Sequence, residues 1–173
     1  MDTIFKPAFT PVDRSSYEPI KNKLPNSLFA KNRHRFISMF KKAVPLQEGD
    51  FALFRGASEV PLYSSDVSYP EYQEALFYYL FGVHEMDCYA IIDFKNDKAI
   101  LFAPRLNNLY KIWMTTMDAA QLSAHYGIET RYLDEMEAYI SQNLKGVMFV
   151  NEGVNSDSDL TTMIPDLKYL TDR

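Results

Sequence analysis

Cys88-Tyr89-Ala90-Ile91-Ile92-Asp93-Phe94, then Lys95-Asn96-Asp97-Lys98, then Ala99-Ile100-Leu101-Phe102-Ala103 is the stretch on which the fold turns. Two apolar runs rich in isoleucine and aromatic residues read as strands. The polar residues between them suit a tight turn, because Asn and Asp tolerate left-handed backbone. The pattern predicts an antiparallel hairpin.

Just upstream, Leu76 to Gly82 is dense in aromatic residues (Phe77, Tyr78, Tyr79, Phe81). It is expected to be a buried strand, although periodicity over so few residues does not separate strand from helix. Asp50-Phe51-Ala52-Leu53-Phe54-Arg55-Gly56 is a further strand closed by glycine. Before it, Phe29, Phe36, Phe40 and Ala43 recur at helical spacing, with Asn26 or Ser27 as the expected N-cap. Lys31, Arg33, Arg35, Lys41 and Lys42 lie on the other face, read as a solvated surface. Residues 1–25 carry Pro7, Pro11, Pro19 and Pro25 and read as an extended arm, leaving 26–173 as the folded domain.

Downstream the rhythm changes. Asp118 to His125 reads as a short helix and Glu129 to Leu133 as a strand. Asp134 is the expected cap of a helix through Met136, Tyr139, Ile140 and Leu144, and Val147 to Val150 is a last buried strand. A hairpin followed by alternating helices and strands implies an α/β domain with a mixed sheet flanked by helices.

The chain has 173 residues, enough to bury roughly 70% of the unfolded surface without a disulfide or metal. Its net charge of −5 argues against nonspecific nucleic-acid binding, which depends on lysine and arginine. No apolar run approaches the ~20 residues of a membrane span. The N-terminus lacks a signal-peptide pattern, and Cys88 is the lone cysteine, so a cytoplasmic setting is expected. Twelve Phe and twelve Tyr point either to an aromatic core or to an aromatic contact surface.

A reaction centre is not legible. There is no Gly-rich phosphate loop, and His34, His84 and His125 are far apart. Cys88 opens an apolar strand, where a thiol behaves as a small hydrophobe. Asn155-Ser156-Asp157-Ser158-Asp159 fails the calcium-loop test: counting from Asp157, the sixth and twelfth places hold Thr162 and Lys168. It reads better as an N-cap ahead of Leu160, Met163 and Ile164. His84, Glu85 and Asp87 read as a solvated turn between strands.

One block is more specific. Leu62-Tyr63-Ser64-Ser65-Asp66, Tyr72-Gln73-Glu74-Ala75, Phe81-Gly82, Cys88-Tyr89 and Leu101-Phe102-Ala103-Pro104-Arg105-Leu106 follow one another at spacings that resemble the N-terminal domain of Xaa-Pro dipeptidases. The likeness resumes at Trp113-Met114 and at Gly153-Val154-Asn155-Ser156-Asp157. It implies the fold shared by prolidase, aminopeptidase P and creatinase N-terminal domains, a ribonuclease H-like mixed sheet of about six strands. It also implies a separate catalytic domain of the pita-bread type that binds two divalent metals, commonly manganese, and cleaves the bond preceding proline. Catalytic and metal-binding residues are accordingly expected to be none in this chain.

The chain departs from the family where Leu62 replaces an arginine and Glu71-Tyr72 replaces Phe-Arg. The first change removes a fork suited to carboxylates. The partners implied are the chain's own catalytic domain and a second subunit in a homodimer, with neither nucleic acid nor membrane. Trp113 and Arg105 are the residues expected near the neighbouring subunit's substrate, with Asp66 and Gln73 behind them. The competing reading is a standalone binding or scaffold protein with the same fold. An independent ribonuclease H-type enzyme ranks last, because Asp66, Asp93 and Glu129 form no recognisable set.

Overall fold

The computed structural model describes residues 24–70, 72–112 and 114–162. Most of the 1–25 arm, Trp113, and Met163 with Ile164 therefore lie outside the described residues. Five strands, β1 (Phe51–Arg55), β2 (Tyr89–Asp93), β3 (Lys98–Ala103), β4 (Glu129–Tyr132) and β5 (Met148–Val150), form one sheet in the order β4-β3-β2-β1-β5. The predicted hairpin is β2–β3, antiparallel with Asp93 opposite Lys98, and β1 pairs antiparallel with β2. The outer pairs β3–β4 and β1–β5 are parallel. The sheet is mixed as expected, with five strands among the described residues against the six anticipated.

Among the described residues four helices flank it: α1 (Asn26–Ala43), α2 (Ala75–Phe81), α3 (Ala119–Tyr126) and α4 (Met136–Asn143). Side chains alternate across the pleat, so each central strand feeds two cores. Ala52, Phe54, Ala90, Ile92, Leu101 and Ala103 join Ile37 of α1, Phe77, Leu80 and Phe81 of α2, and Leu122 and Tyr126 of α3. Phe51, Leu53, Ile91, Ile100 and Phe102 pack on the opposite face against Ile140 and Leu144. The result is a three-layer sandwich.

The composition left open whether the aromatics serve a core or a surface, and they divide by type. The ten described phenylalanines are buried or packed against a core. Among them, Phe40 and Phe94 stack at 4.7 Å and Phe149 meets Phe40 edge-on at 5.0 Å. The exposed rings are tyrosines: Tyr63, Tyr69, Tyr72, Tyr79 and Tyr110.

Four local expectations are corrected. Residues 76–82 are helical, not a strand. Phe77, Leu80 and Phe81 share one buried face at helical spacing. The Glu74 carboxylate accepts from the Leu76 and Phe77 amides at 3.1 and 2.6 Å, and Gly82 closes the helix with a left-handed φ of 66°. At α1, Pro25 occupies the N-cap position without a side-chain bond. Asn26 instead donates to the His125 carbonyl at 3.0 Å, tying α1 to the end of α3. Asp134 does not cap α4, which starts behind a 3-10 turn (Leu133–Glu135); its carboxylate is taken by Arg105. Asn155 accepts from the Asp157 and Ser158 amides, and Val154 bridges Thr161, so 153–162 is a small hairpin, not a capped helix start.

The basic face of α1 has structural uses. Asn32 and Arg33 donate to the Tyr79 and Leu80 carbonyls at 2.8 and 3.0 Å, satisfying the end of α2, while Lys41 pairs with Asp97 at 2.6 Å.

Candidate functional site

Strands β1, β3, β4 and β5 run in the same direction, so the chain leaves all four at one end of the sheet. In open α/β sheets this end carries function, because loops there converge without disturbing the core. Three segments emerge from it: 56–74 after β1, 104–118 after β3 and 151–162 after β5. Val60, Tyr63, Val67, Tyr69 and Tyr72 are exposed on the first, and Leu106, Leu109, Tyr110, Ile112 and Met114 on the second. Val154 and Leu160 are exposed on the third. Together they are twelve of the seventeen large apolar side chains exposed among the described residues. Isolated exposed apolar residues are ordinary, so their gathering on the loops at one end of the sheet sets that end apart.

The first loop is held firmly. Gln73 accepts from the Ala57 and Glu74 amides at 2.6 and 3.0 Å and donates to the Glu85 carbonyl at 3.1 Å. Its amide thereby joins the start of that loop, the start of α2 and the turn before β2. Its role is structural, and the resemblance had ranked it only as a weak candidate. Ser65 bonds the Leu62 carbonyl at 2.7 Å, and Tyr63, 87% exposed, keeps a left-handed φ of 51°. A non-glycine residue in that region costs energy and persists where its surroundings impose it. Asp66 is exposed on the same turn.

Arg105 lies just beyond β3 and grips Asp134 through Nε at 2.8 Å and Nη2 at 3.2 Å, with its guanidinium 3.6 Å from the Tyr132 ring centroid. The hydrogen bond holds the Asp134 carboxyl below the usual carboxylate range. Arg105 is thus engaged by its own domain.

The remaining candidates stay dispersed. His34, His84 and His125 are exposed on α1, after α2 and on α3. Cys88 is fully buried, and desolvation drives its thiol pKa strongly upward, with Glu85 and Asp87 adding to the rise. Glu85 leaves one carboxylate oxygen buried without a partner. Among the described residues, no group of three or more His, Cys, Asp or Glu is arranged to hold a metal. The residues present therefore do not fit the two-metal centre that the resemblance assigns to the whole enzyme, and no chemical step is derived through it.

The described residues form an α/β domain whose mixed sheet is flanked by helices, with exposed apolar side chains gathered on the loops at one end. Residues 29–150 match the family model described as the aminopeptidase P N-terminal domain, and the chain belongs to that family. It is 33% identical over 138 residues to the Xaa-Pro dipeptidase of Rattus norvegicus and 32% identical to that of Homo sapiens. Each alignment spans 79% of this chain and 28% of the relative's length. Aminopeptidase P from E. coli shares the fold, with a TM-score of 0.60 over 80% of this chain and 30% of that one at 20% identity. The same enzyme with the inhibitor Pro-Leu gives 0.61 over 79% of this chain and 31% of that one at 21% identity.

Proposed function

We propose that this chain acts as the non-catalytic N-terminal domain of a metal-dependent Xaa-Pro dipeptidase, supporting dimerisation and covering an active site that lies in a separate catalytic domain. The observation that carries this reading is the apolar end of the sheet. Twelve exposed side chains, five of them on a loop that Gln73 and Ser65 hold in place, form a surface that water solvates poorly. Burying such a face is favourable by roughly 25 cal/mol per Å² before the costs of association. The relatives are more than three times as long as the aligned part, which leaves ample chain for the partner that covers it. That partner is the catalytic domain, with divalent metals, manganese foremost, bound there.

In the assembled enzyme Trp113 and Arg105 approach the neighbouring subunit's substrate. A tryptophan ring offers apolar surface to a proline ring. The working compartment is the cytoplasm.

The test is to express the reading frame containing this chain to its full extent and assay alanyl-proline hydrolysis with manganese. The full-length protein is expected to hydrolyse the dipeptide as a dimer, and the 173-residue chain to have no activity. Replacing Leu109 and Ile112 by serine in the full-length protein is expected to loosen the dimer or the domain contact and lower activity. A reading frame with no two-metal domain overturns the proposal and leaves a binding protein of the same fold.

A further inference from the structure

Helix α1 holds five of the chain's eighteen Lys and Arg residues and none of its twenty-three Asp and Glu. The other residues therefore carry thirteen cations against twenty-three acids, a net charge of −10. Arg33 and Lys41 are committed to the Leu80 carbonyl and to Asp97. Lys31, Arg35 and Lys42 are exposed, and among the described residues no carboxylate comes within 4.0 Å of them. At about 100° per residue, these three fall within about 40° of one another around the helix. Phe29, Phe36, Ile37 and Phe40 are buried or packed on the opposite side. The cations form a row roughly 16 Å long that faces away from the protein's own body.

A helix face that only has to be solvated gains from acids placed four residues from its cations. Lys31 and Arg35 at that spacing instead repel each other and weaken the helix. Lys42 in the last turn is favoured by the helix dipole, but the other two have no such compensation. Apolar surface gathers at the same place. Five large apolar side chains are exposed away from the apolar end of the sheet, and four of them surround α1. Leu28 and Met39 lie on the helix beside the row, Leu24 precedes it, and Tyr79 sits on α2 where its carbonyl accepts from Asn32.

The rest of the chain offers no obvious complement at its ends: residues 1–23 carry four cations and three acids, and 163–173 two of each. A bilayer or a nucleic-acid duplex presents a broad anionic plane, and laying the row on one would bring the net −10 of the remainder towards it. A single acidic helix fits a row one side chain wide, because its carboxylates repeat at the same spacing.

We propose that the outer face of α1 docks an acidic amphipathic helix of a partner protein, with carboxylates on Lys31, Arg35 and Lys42 and apolar side chains against Leu28 and Met39. None of these residues belongs to the apolar end of the sheet, so the site stands or falls separately from the docking reading.

The probe is a capped, alanine-based peptide helix with glutamates repeating at four- and seven-residue spacing and leucines beside them, titrated into the 173-residue chain labelled with nitrogen-15. Saturable shifts are expected at the Lys31, Arg35, Met39 and Lys42 amides, with a Kd of roughly 0.1–1 mM. Raising sodium chloride from about 0.05 M to about 0.5 M is expected to weaken binding roughly fivefold or more. Lys31→Gln and Arg35→Gln are each expected to weaken it about two- to fivefold. Lys31→Glu combined with Arg35→Glu is expected to abolish it. These positions are exposed, and unaltered shifts in the sheet verify that each variant is folded. Absence of saturable shifts, equal binding of a peptide with glutamine in place of glutamate, or binding unchanged by the double reversal overturns the proposal. Tighter binding of the same row to phosphatidylserine vesicles than to the peptide also overturns it, in favour of a membrane surface.

Discussion

Gly82→Ala tests how α1 and α2 are locked together. Gly82 ends α2 with a φ of 66°, and a left-handed residue with a Cβ costs about 1–2 kcal/mol. A methyl group there also overlaps the Phe29 ring, closer to its carbons than a real Cβ contact allows. Phe29 is 6% exposed and packs edge-on against Tyr78 at 5.7 Å, so it has little room to move aside. Overpacking of this kind costs about 1–3 kcal/mol more. The combined loss is therefore about 2–5 kcal/mol.

Gly127→Ala is the control. Gly127 has nearly the same φ, 64°, but its added Cβ meets only the Asn26 side chain, at 3.2 Å and beyond. That substitution is expected to cost about 1–2 kcal/mol from backbone strain. Urea unfolding followed by circular dichroism measures both, and in a Phe29→Ala background the cost of Gly82→Ala is expected to fall to that of the control. If Gly82→Ala costs no more than Gly127→Ala with Phe29 intact, the packing argument is refuted.

The other predictions concern titration and reactivity. Lys98 at 2.6 Å lowers the Glu129 carboxyl pKa, with Arg131 at 2.9 Å assisting against a smaller desolvation cost. A folded value below the unfolded one means that the stabilisation is present above about pH 4.3 and lost as pH falls through the folded value. Glu129→Gln should accordingly flatten the acid side of a stability–pH profile; an unchanged acid limb would refute the linkage. Cys88 is buried with its thiol pKa pushed strongly upward, so a thiol-specific reagent should label it only as fast as the chain unfolds. Rapid labelling of the native chain would contradict that burial.

Where an apolar run is bounded by turn or cap residues of unambiguous type, the sequence by itself determined the outcome. The β2–β3 hairpin, the terminal strand at 148–150 and the helix at 119–126 follow from apolar runs, turn residues and an Asp118 cap within a few residues of each other. The spaced motifs from Tyr63 to Leu106 were enough to indicate the family. Residues 76–82 failed because six aromatic and aliphatic residues ahead of a glycine suit either a strand or a helix. The deciding facts, Glu74 on the amides of Leu76 and Phe77 and the Phe29 ring over Gly82, require the folded chain. A similar limit hid Asp134, whose carboxylate answers Arg105 from 29 residues away and not its own helix.

The candidate surfaces were the least legible of all. Tyr63, Leu109 and Val154 share an end of the sheet solely because β1, β3 and β5 run parallel. Local propensity decides which elements form. Which of their ends coincide, and which charges are left without a partner, is set by long-range packing, and tertiary structure alone decided those features here.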